Sequence, residues 1–73
     1  MKFQELGSAA WLDDSGRYFI ALVGADGRQF FDAWRRGTTH STPLDGAPFV
    51  SLALAQAACL ANAQQELAVS GVP

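Results

Sequence analysis

The sequence predicts an α+β fold, in which a three-stranded antiparallel β-meander is followed by one C-terminal α-helix packed on one face of the sheet. Two observations predict it. Runs of aromatic and β-branched residues alternate with turn-forming clusters in the first half of the chain, and an alanine-rich stretch without glycine or proline dominates the last third. A chain of 73 residues makes one domain, residues 1–73.

The central feature of the expected sheet is a β-hairpin. Residues 17–24 are rich in aromatic and β-branched side chains, and residues 28–36 form a second run of the same kind. The pair Asp26-Gly27 lies between them and is typical of a two-residue hairpin loop. Such a loop sets the cross-strand pairs Leu22 with Phe31, Ile20 with Ala33, and Tyr18 with Arg35.

The segments on either side of this hairpin are less regular. A strand at residues 7–12 is expected to pair with the second strand across the turn-forming cluster at residues 13–16, Asp-Asp-Ser-Gly. Residues 37–50 contain two prolines, two glycines and several hydroxyl side chains. This composition predicts a loop, and its length indicates that the loop is either mobile or functional.

The helix is expected at residues 52–68, which hold no glycine or proline and much alanine. Ser51 is a suitable N-cap, and Gly71 and Pro73 stand just past the expected end. The residues expected to pack on the sheet are Leu52, Ala55 and Cys59 with Asn62 or Ala63. Few polar residues lie on the other sides of the helix, which is unusual for a surface helix.

Side chains alternate across a strand, so the length of the hairpin loop decides which face of the sheet each residue joins. A two-residue loop places Phe19, Phe30 and Trp34 on the face away from the helix. A three-residue loop would place Phe30 and Trp34 on the helix side and leave Phe31 outside. Since one helix covers one face, aromatic side chains remain uncovered in either register, unless residues 1–3 or the long loop folds over them.

Composition argues against several classes of function. The chain has one cysteine and one histidine, so an intramolecular disulfide cannot form and we expect no Cys/His zinc site. The net charge is −2 and the pI about 4.9, whereas nucleic-acid binders usually carry a basic excess. No signal peptide or bilayer-spanning run is recognisable, and we expect a cytoplasmic protein of the producing or infected cell, without membrane association.

No catalytic constellation is recognisable either, and we expect no enzymatic activity, no cofactor and no metal. His40, Ser41 and Asp45 lie within a few residues on one loop, whereas a hydrolase triad needs three groups held rigidly. Cys59 stands on an alanine-rich helix with no base nearby in sequence, which predicts a buried, inert thiol.

A recurring pattern of residues follows the second and third expected strands and the start of the helix: Tyr18, Ile20, Phe31, Ala33, Trp34, Ser51, Leu52, Ala55 and Ala58. With the β-β-β-α order, it resembles a group of small phage and prophage proteins whose fold is like that of double-stranded-RNA-binding domains. Some small phage proteins inhibit host defence systems, anti-CRISPR proteins among them, so the resemblance implies an inhibitor. Shape-reading RNA-binding domains use lysines at the start of the last helix, but residues 51–54 hold no cation, so we expect no duplex binding.

Binding of another protein is the function that these features favour, with a host complex or a second copy of the chain as partner. The expected binding residues on the sheet face and loop are Phe19, Phe30, Trp34, Arg35, Arg36 and His40. Acidic contacts to a basic partner are expected from Asp13, Asp14 and Asp26. A homodimer would use the helix residues Leu54, Ala57, Leu60 and Ala61. A single-stranded nucleic acid on the sheet face is the remaining alternative.

Overall fold

Five antiparallel strands in chain order form one sheet, and a single helix packs across its central strands. The computed structural model describes residues 1–70, so Gly71 and Pro73, which the sequence places after the helix, lie outside the described residues. The elements within residues 1–70 are β1 (Phe3–Glu5), β2 (Ala10–Asp13), β3 (Tyr18–Ala25), β4 (Arg28–Arg36), β5 (Ser41–Pro43) and α1 (Leu52–Ser70). The sheet order is β1-β2-β3-β4-β5, and α1 lies over β4 and β3.

The β3–β4 hairpin has the two-residue register. Asp26 and Gly27 form its loop with φ values of 53° and 75°, and the pair that closes it is Ala25 with Arg28. Positive φ at both positions suits the right-handed twist of the flanking strands, and glycine takes this conformation at no steric cost. The expected cross-strand pairs are confirmed: Leu22 with Phe31, Ile20 with Ala33, and Tyr18 with Arg35.

The prediction of three strands is wrong, because a short strand is added at each edge of the sheet. β1 pairs with β2 and β5 pairs with β4. Each added strand is three residues long and contains no run of aromatic or β-branched residues, so strand propensity does not reveal it. Pro43 is tolerated in β5 because an edge strand leaves some of its N–H groups unpaired. Short edges also limit aggregation through strand addition.

The strand expected at residues 7–12 corresponds to β2, which begins at Ala10 and ends at Asp13. Residues between Glu5 and Ala10 are used to turn the chain from β1 into β2, and Gly7 takes a φ of 73° in that turn. β3 begins one residue later than expected and β4 has the expected bounds.

The segment expected to be a loop, residues 37–50, is tied to the edge of β4 along much of its length. Phe49 forms a β-bridge with Phe31, in which each N–H donates to the other residue's carbonyl oxygen at 2.7 and 2.8 Å. The Leu44 N–H donates to Ala33 O at 2.9 Å, and the Leu44 side chain is buried. The segment therefore completes the core from the side of β4.

The helix packs on one face of the sheet with the residues that the sequence predicts. Ala55 and Cys59 are fully buried together with Ile20 and Ala33. Leu52 and Ala63 are partly buried against this core with Phe3, Trp11, Phe31, Phe49 and Ala58. Small residues at positions 55 and 59 let the helix approach the sheet closely, so the burial of apolar surface is efficient.

The start of the helix is capped as expected. The Ser51 Oγ accepts a hydrogen bond from the Leu54 N–H at 3.1 Å, which satisfies one of the free backbone donors of the first turn. The helix expected at 52–68 runs from Leu52 to Ser70.

A buried carboxylate organises the turn between β2 and β3. Asp13 is 4% exposed, and its side chain accepts hydrogen bonds from the Ser15 hydroxyl at 2.6 Å and from the Tyr18 N–H at 2.8 Å. Burial opposes the charge of Asp13, but these hydrogen bonds outweigh it and hold the pKa of the carboxyl below its ordinary value. The turn is therefore fastened to the first residue of β3.

Substitution of Asp13 tests how much its hydrogen bonds stabilise the fold. Asp13→Ala should lower the free energy of unfolding by about 1–3 kcal/mol, because it leaves the Tyr18 N–H without its acceptor. Asp13→Asn keeps the shape and one acceptor and should cost less. Chemical denaturation followed by circular dichroism measures both.

The pH dependence of the free energy of unfolding tests whether Asp13 is charged in the folded protein. Folding lowers the pKa of Asp13, so the ionised carboxylate stabilises the folded state. This contribution to the free energy of unfolding is complete above the ordinary pKa of 3.8. It is lost as pH falls through the lower pKa of the folded state. The stability difference between the wild type and Asp13→Asn should therefore shrink as pH falls below 3.8. A difference that stays constant with pH would contradict a charged Asp13.

Candidate interaction site

The face of the sheet opposite α1 carries an apolar row that crosses four strands. Leu12 pairs with Phe19, Phe19 with Trp34, and Trp34 with Pro43. Paired residues in adjacent strands point to the same face, so the four side chains form one line from β2 to β5. We call the uncovered side of the sheet, of which this line is the centre, the open face.

The apolar row borders a shallow groove of about 540 Å³. Its lining consists of Leu6, Leu12, Phe19, Trp34, Arg36 and Ser41. Leu6, which follows β1, is 44% exposed and closes one end of the groove, while the guanidinium-bearing Arg36 and the hydroxyl of Ser41 close the other. The groove thus combines an apolar floor with one cationic end.

A second apolar pair lies nearer to the hairpin loop. Val23 pairs with Phe30, and Val23 is 37% exposed. The pair of Ala21 and Asp32 separates it from the apolar row. Asp32 is therefore an acidic residue in the middle of an otherwise apolar surface.

Arginines lie at both ends of the open face. Alternation along β4 places Arg28 and Arg36 on this face with Trp34. The Arg36 backbone N–H donates to Arg17 O at 2.7 Å and the Arg36 side chain donates to Gly16 O at 3.3 Å, whereas Arg17 itself lines a cavity on the helix side with Tyr18 and Arg35. The open face is cationic at its rim, although the whole chain carries a net charge of −2.

Only four of the six sheet and loop residues expected to bind a partner lie on the open face. Phe19, Phe30, Trp34 and Arg36 lie on the open face. Arg35 does not, since it pairs with Tyr18 on the helix side and forms an ion pair with Glu66. His40 is exposed in the turn between β4 and β5, where its Nδ1 lies 3.0 Å from the Thr39 hydroxyl.

The three residues expected to make acidic contacts do not lie together either. Asp13 is buried and bonded within its own turn, so it is not available to a partner. Asp14 and Asp26 are exposed, but Asp14 lies in the turn between β2 and β3 and Asp26 in the loop between β3 and β4. The two residues are thus at opposite ends of β3. They therefore do not form one acidic surface.

Three residues of the open face were missed by sequence reasoning. Leu6 and Pro43 lie next to or within the two edge strands, which propensity does not reveal. Leu12 stands at the end of an expected strand, and its place opposite Phe19 depends on the exact register of the β2–β3 hairpin. Apolar–polar alternation in residues 9–13 is too short to determine that register.

The expected alternative, in which the N-terminal residues or the long loop cover the aromatic side chains, is not what the described residues show. The N-terminal segment forms β1 at one edge, with Phe3 packed on the helix side. The long loop forms β5 and the Phe49 bridge at the other edge. Both segments widen the sheet, so within residues 1–70 the open face has no covering layer.

The helix presents a second apolar surface on the side away from the sheet. Leu54 is 51% exposed and Leu60 is 43% exposed. Ala57 and Ala61 are exposed between them. We call these four residues the outer helix face. Because α1 lies between this surface and the sheet, the outer helix face and the open face are on opposite sides of the molecule.

A polar cluster fastens the second half of α1 to the sheet. The Tyr18 hydroxyl donates to Asn62 Oδ1 at 2.8 Å and lies 3.5 Å from Glu66 Oε2. Glu66 in turn accepts from Arg35. Burial raises the pKa of the Tyr18 hydroxyl, so it stays protonated and acts as a donor. The cluster explains why Asn62 occupies a packing position of the helix.

The Cys59 thiol is not activated as a nucleophile in this fold. Cys59 is buried, and burial raises the pKa of its thiol to about 11, so the reactive thiolate is scarce at neutral pH. Among residues 1–70, no three His, Cys, Asp or Glu side chains are grouped to hold a metal ion. The helical part of the same range includes no segment with the length and apolarity to cross a bilayer.

The two tryptophans supply a matched test of the two faces. Trp11 packs at the core, with its ring centroid 5.8 Å from that of Phe31, whereas Trp34 lies on the open face. Trp11→Ala should cost roughly 3 kcal/mol of stability, because it empties a packed site. Trp34→Ala should cost about 1 kcal/mol and leave the circular dichroism spectrum nearly unchanged. Equal losses of stability in the two variants would contradict this assignment of faces.

Comparison of the chain with protein-family models, with curated proteins and with solved structures finds no match.

Proposed function

We propose that the chain is a non-enzymatic protein-binding module that docks onto its partner with the open face. The observation that carries this proposal is the apolar row of Leu12, Phe19, Trp34 and Pro43, which lies uncovered across four strands. A contiguous apolar row with a groove beside it is costly to leave in water. A folded partner that fills the groove removes this cost.

Trp34 is the expected anchor of the interface. It lies in the middle of the row, between Phe19 and Pro43, so its ring is held by neighbours before binding. A side chain that is already ordered loses little conformational entropy on binding. Tryptophan and arginine dominate the energetics of many interfaces, and Arg36 lies at the end of the same groove.

The charges of the open face define the chemistry of the partner. Arg28 and Arg36 lie at its rim, and the acid Asp32 lies between the apolar pairs. A complementary partner surface therefore has an apolar centre and acidic groups at its margin. The sequence had indicated the opposite arrangement, in which acidic residues of the chain contact a basic partner. Asp13 is buried, however, and Asp14 and Asp26 are far apart.

The finer proposal is that the partner is a host defence complex and that docking occludes one of its functional surfaces, as an anti-CRISPR-type inhibitor does. Its support is the resemblance of the sequence to small phage proteins. It places the protein in the cytoplasm of the producing or infected cell, where a reduced Cys59 is expected.

Single-stranded nucleic acid is a second candidate ligand, which one observation favours. Phe19 and Trp34 are cross-strand neighbours with Arg36 beside them, and bases stack on such aromatic platforms next to cations. The net charge of −2 opposes this reading, since phosphate neutralisation supplies most of the affinity of nucleic-acid binders.

Nucleic-acid binding is tested with labelled oligonucleotides. We expect no change in fluorescence anisotropy with duplex RNA, duplex DNA or single strands at physiological salt, because the cationic rim is small. Binding of single strands that is lost in Trp34→Ala and weakens steeply with salt would favour the second candidate over the first.

Protein binding is tested by site-specific photo-cross-linking in the producing cell. A photoreactive phenylalanine analogue at position 34 should yield a discrete covalent adduct. The same analogue at Val50, which is 69% exposed and does not line the groove, should not. Mass spectrometry of the adduct then identifies the partner.

A variant series checks that the adduct reports the proposed surface. Arg36→Glu should reduce capture of the identified partner at least tenfold, since it reverses the charge at the groove. Val50→Ser should leave capture unchanged. Equal adduct yields at positions 34 and 50, or full capture by Arg36→Glu, would contradict docking through the open face.

A further inference from the structure

We infer that two copies of the chain associate through the outer helix face, as an antiparallel helix pair around a two-fold axis near Ala57. This inference goes beyond the proposed function and does not depend on it. It rests on the exposure of Leu54 and Leu60, on the distribution of charge between the two apolar faces, and on the spacing of large and small residues along α1.

The exposure of the two leucines identifies an unpartnered surface. Leu54 and Leu60 expose 51% and 43% of their surface although they belong to the same helix that buries Ala55 and Cys59. A helix on the surface of a globular protein normally has a polar side opposite its packed side. Here the side opposite the packed residues is formed by leucine and alanine from Leu54 to Ala61.

The charge distribution selects a second copy as the occupant. Residues 46–65 contain no Asp, Glu, Lys or Arg. In a two-fold contact each residue near the axis meets its own equivalent, so a charge there faces a like charge. The residues of α1 that form the outer helix face therefore bring no like charges together. A foreign partner would usually be selected by complementary charges, and this face offers none.

The open face, in contrast, is unsuited to self-association. Docking two copies through it would bring Arg28 and Arg36 of one copy towards the same two cations of the other, with Asp32 as the acid within the surface. Like charges across an interface are unfavourable. The two apolar faces are therefore assigned to different occupants: the helix to a second copy, and the sheet to another protein.

The spacing of residues along α1 suits an antiparallel pair. Leu54 and Leu60 stand three positions before and after Ala57, on opposite flanks of the exposed side. If two helices cross antiparallel at Ala57, Leu54 of one copy comes level with Leu60 of the other and lies over its Ala61. Alanine at the crossing point lets the helices approach closely, and the leucines fill the space beside it.

The size of the protein is compatible with such a contact. A standard interface buries about 800 Å² on each partner, and the chain exposes 5085 Å² in all. A contact of that standard size would cover roughly one sixth of the surface. Since the outer helix face and the open face lie on opposite sides, the dimer would present two open faces pointing away from each other.

The mass in solution tests the inference directly. Size-exclusion chromatography with light scattering should give twice the chain mass of 7.8 kDa, falling to one chain mass on dilution. Leu54→Glu and Leu60→Glu should each give the single mass at all concentrations, with unchanged circular dichroism, because a charge would be buried at the interface. Val23→Glu, a matched change at an exposed apolar residue of the open face, should remain dimeric.

A cysteine variant keeps the inference testable if a glutamate variant fails to fold. Ala57→Cys places an accessible thiol at the two-fold axis, while the native Cys59 is buried. Mild oxidation should join two copies of Ala57→Cys, and Val23→Cys should give no such product. A wild type that is monomeric at its highest soluble concentration would overturn the inference. So would a dimer that Val23→Glu dissociates and Leu54→Glu does not.

Discussion

One helix can cover only one face of a sheet, and this constraint determines what the rest of the chain does. The helix of this protein covers β3 and β4 from one side and buries Ile20, Ala33, Ala55 and Cys59 there. All further segments of residues 1–70 are used to widen the sheet or to complete that same side. The opposite side therefore keeps Leu12, Phe19 and Trp34 at its surface. An apolar surface of this kind is the main physical reason to regard the chain as a binding module.

The loop of the β3–β4 hairpin decides which aromatic residues form that surface. Because Asp26 and Gly27 make a two-residue loop, Phe31 lies towards the helix and Phe30 and Trp34 lie away from it. One more residue in the loop would turn Phe30 and Trp34 towards the helix and Phe31 away from it, and it would bring Trp34 into the core. The character of the binding surface thus depends on a local choice of turn. The cationic rim follows from the same choice, since Arg28 and Arg36 share the face of Trp34.

Sequence reasoning succeeded where local residues determine the structure. The Asp26-Gly27 loop and the Ser51 cap are signals within a few residues of the elements that they start or join, and both are present. The edge strands β1 and β5 could not be predicted, because they form by pairing with an existing sheet rather than by their own propensity. The burial of Asp13 and the ion pair of Arg35 with Glu66 depend on residues brought together by folding. For that reason sequence reasoning did not anticipate the contacts that Asp13 and Arg35 make within the chain.

The central claim is that the open face is exposed in the folded protein, and a soluble paramagnetic probe tests it most directly. Such a probe broadens the NMR signals of side chains that it can approach. The signals of Leu6 and Val23 should broaden strongly and those of the half-buried Trp34 indole in part, while those of Ile20, Ala33 and Cys59 should be spared. In the inferred dimer, Leu54 and Leu60 should also be spared at high protein concentration and should broaden on dilution. Protection of Trp34 equal to that of Ile20 would show that the face is covered, and it would contradict this account.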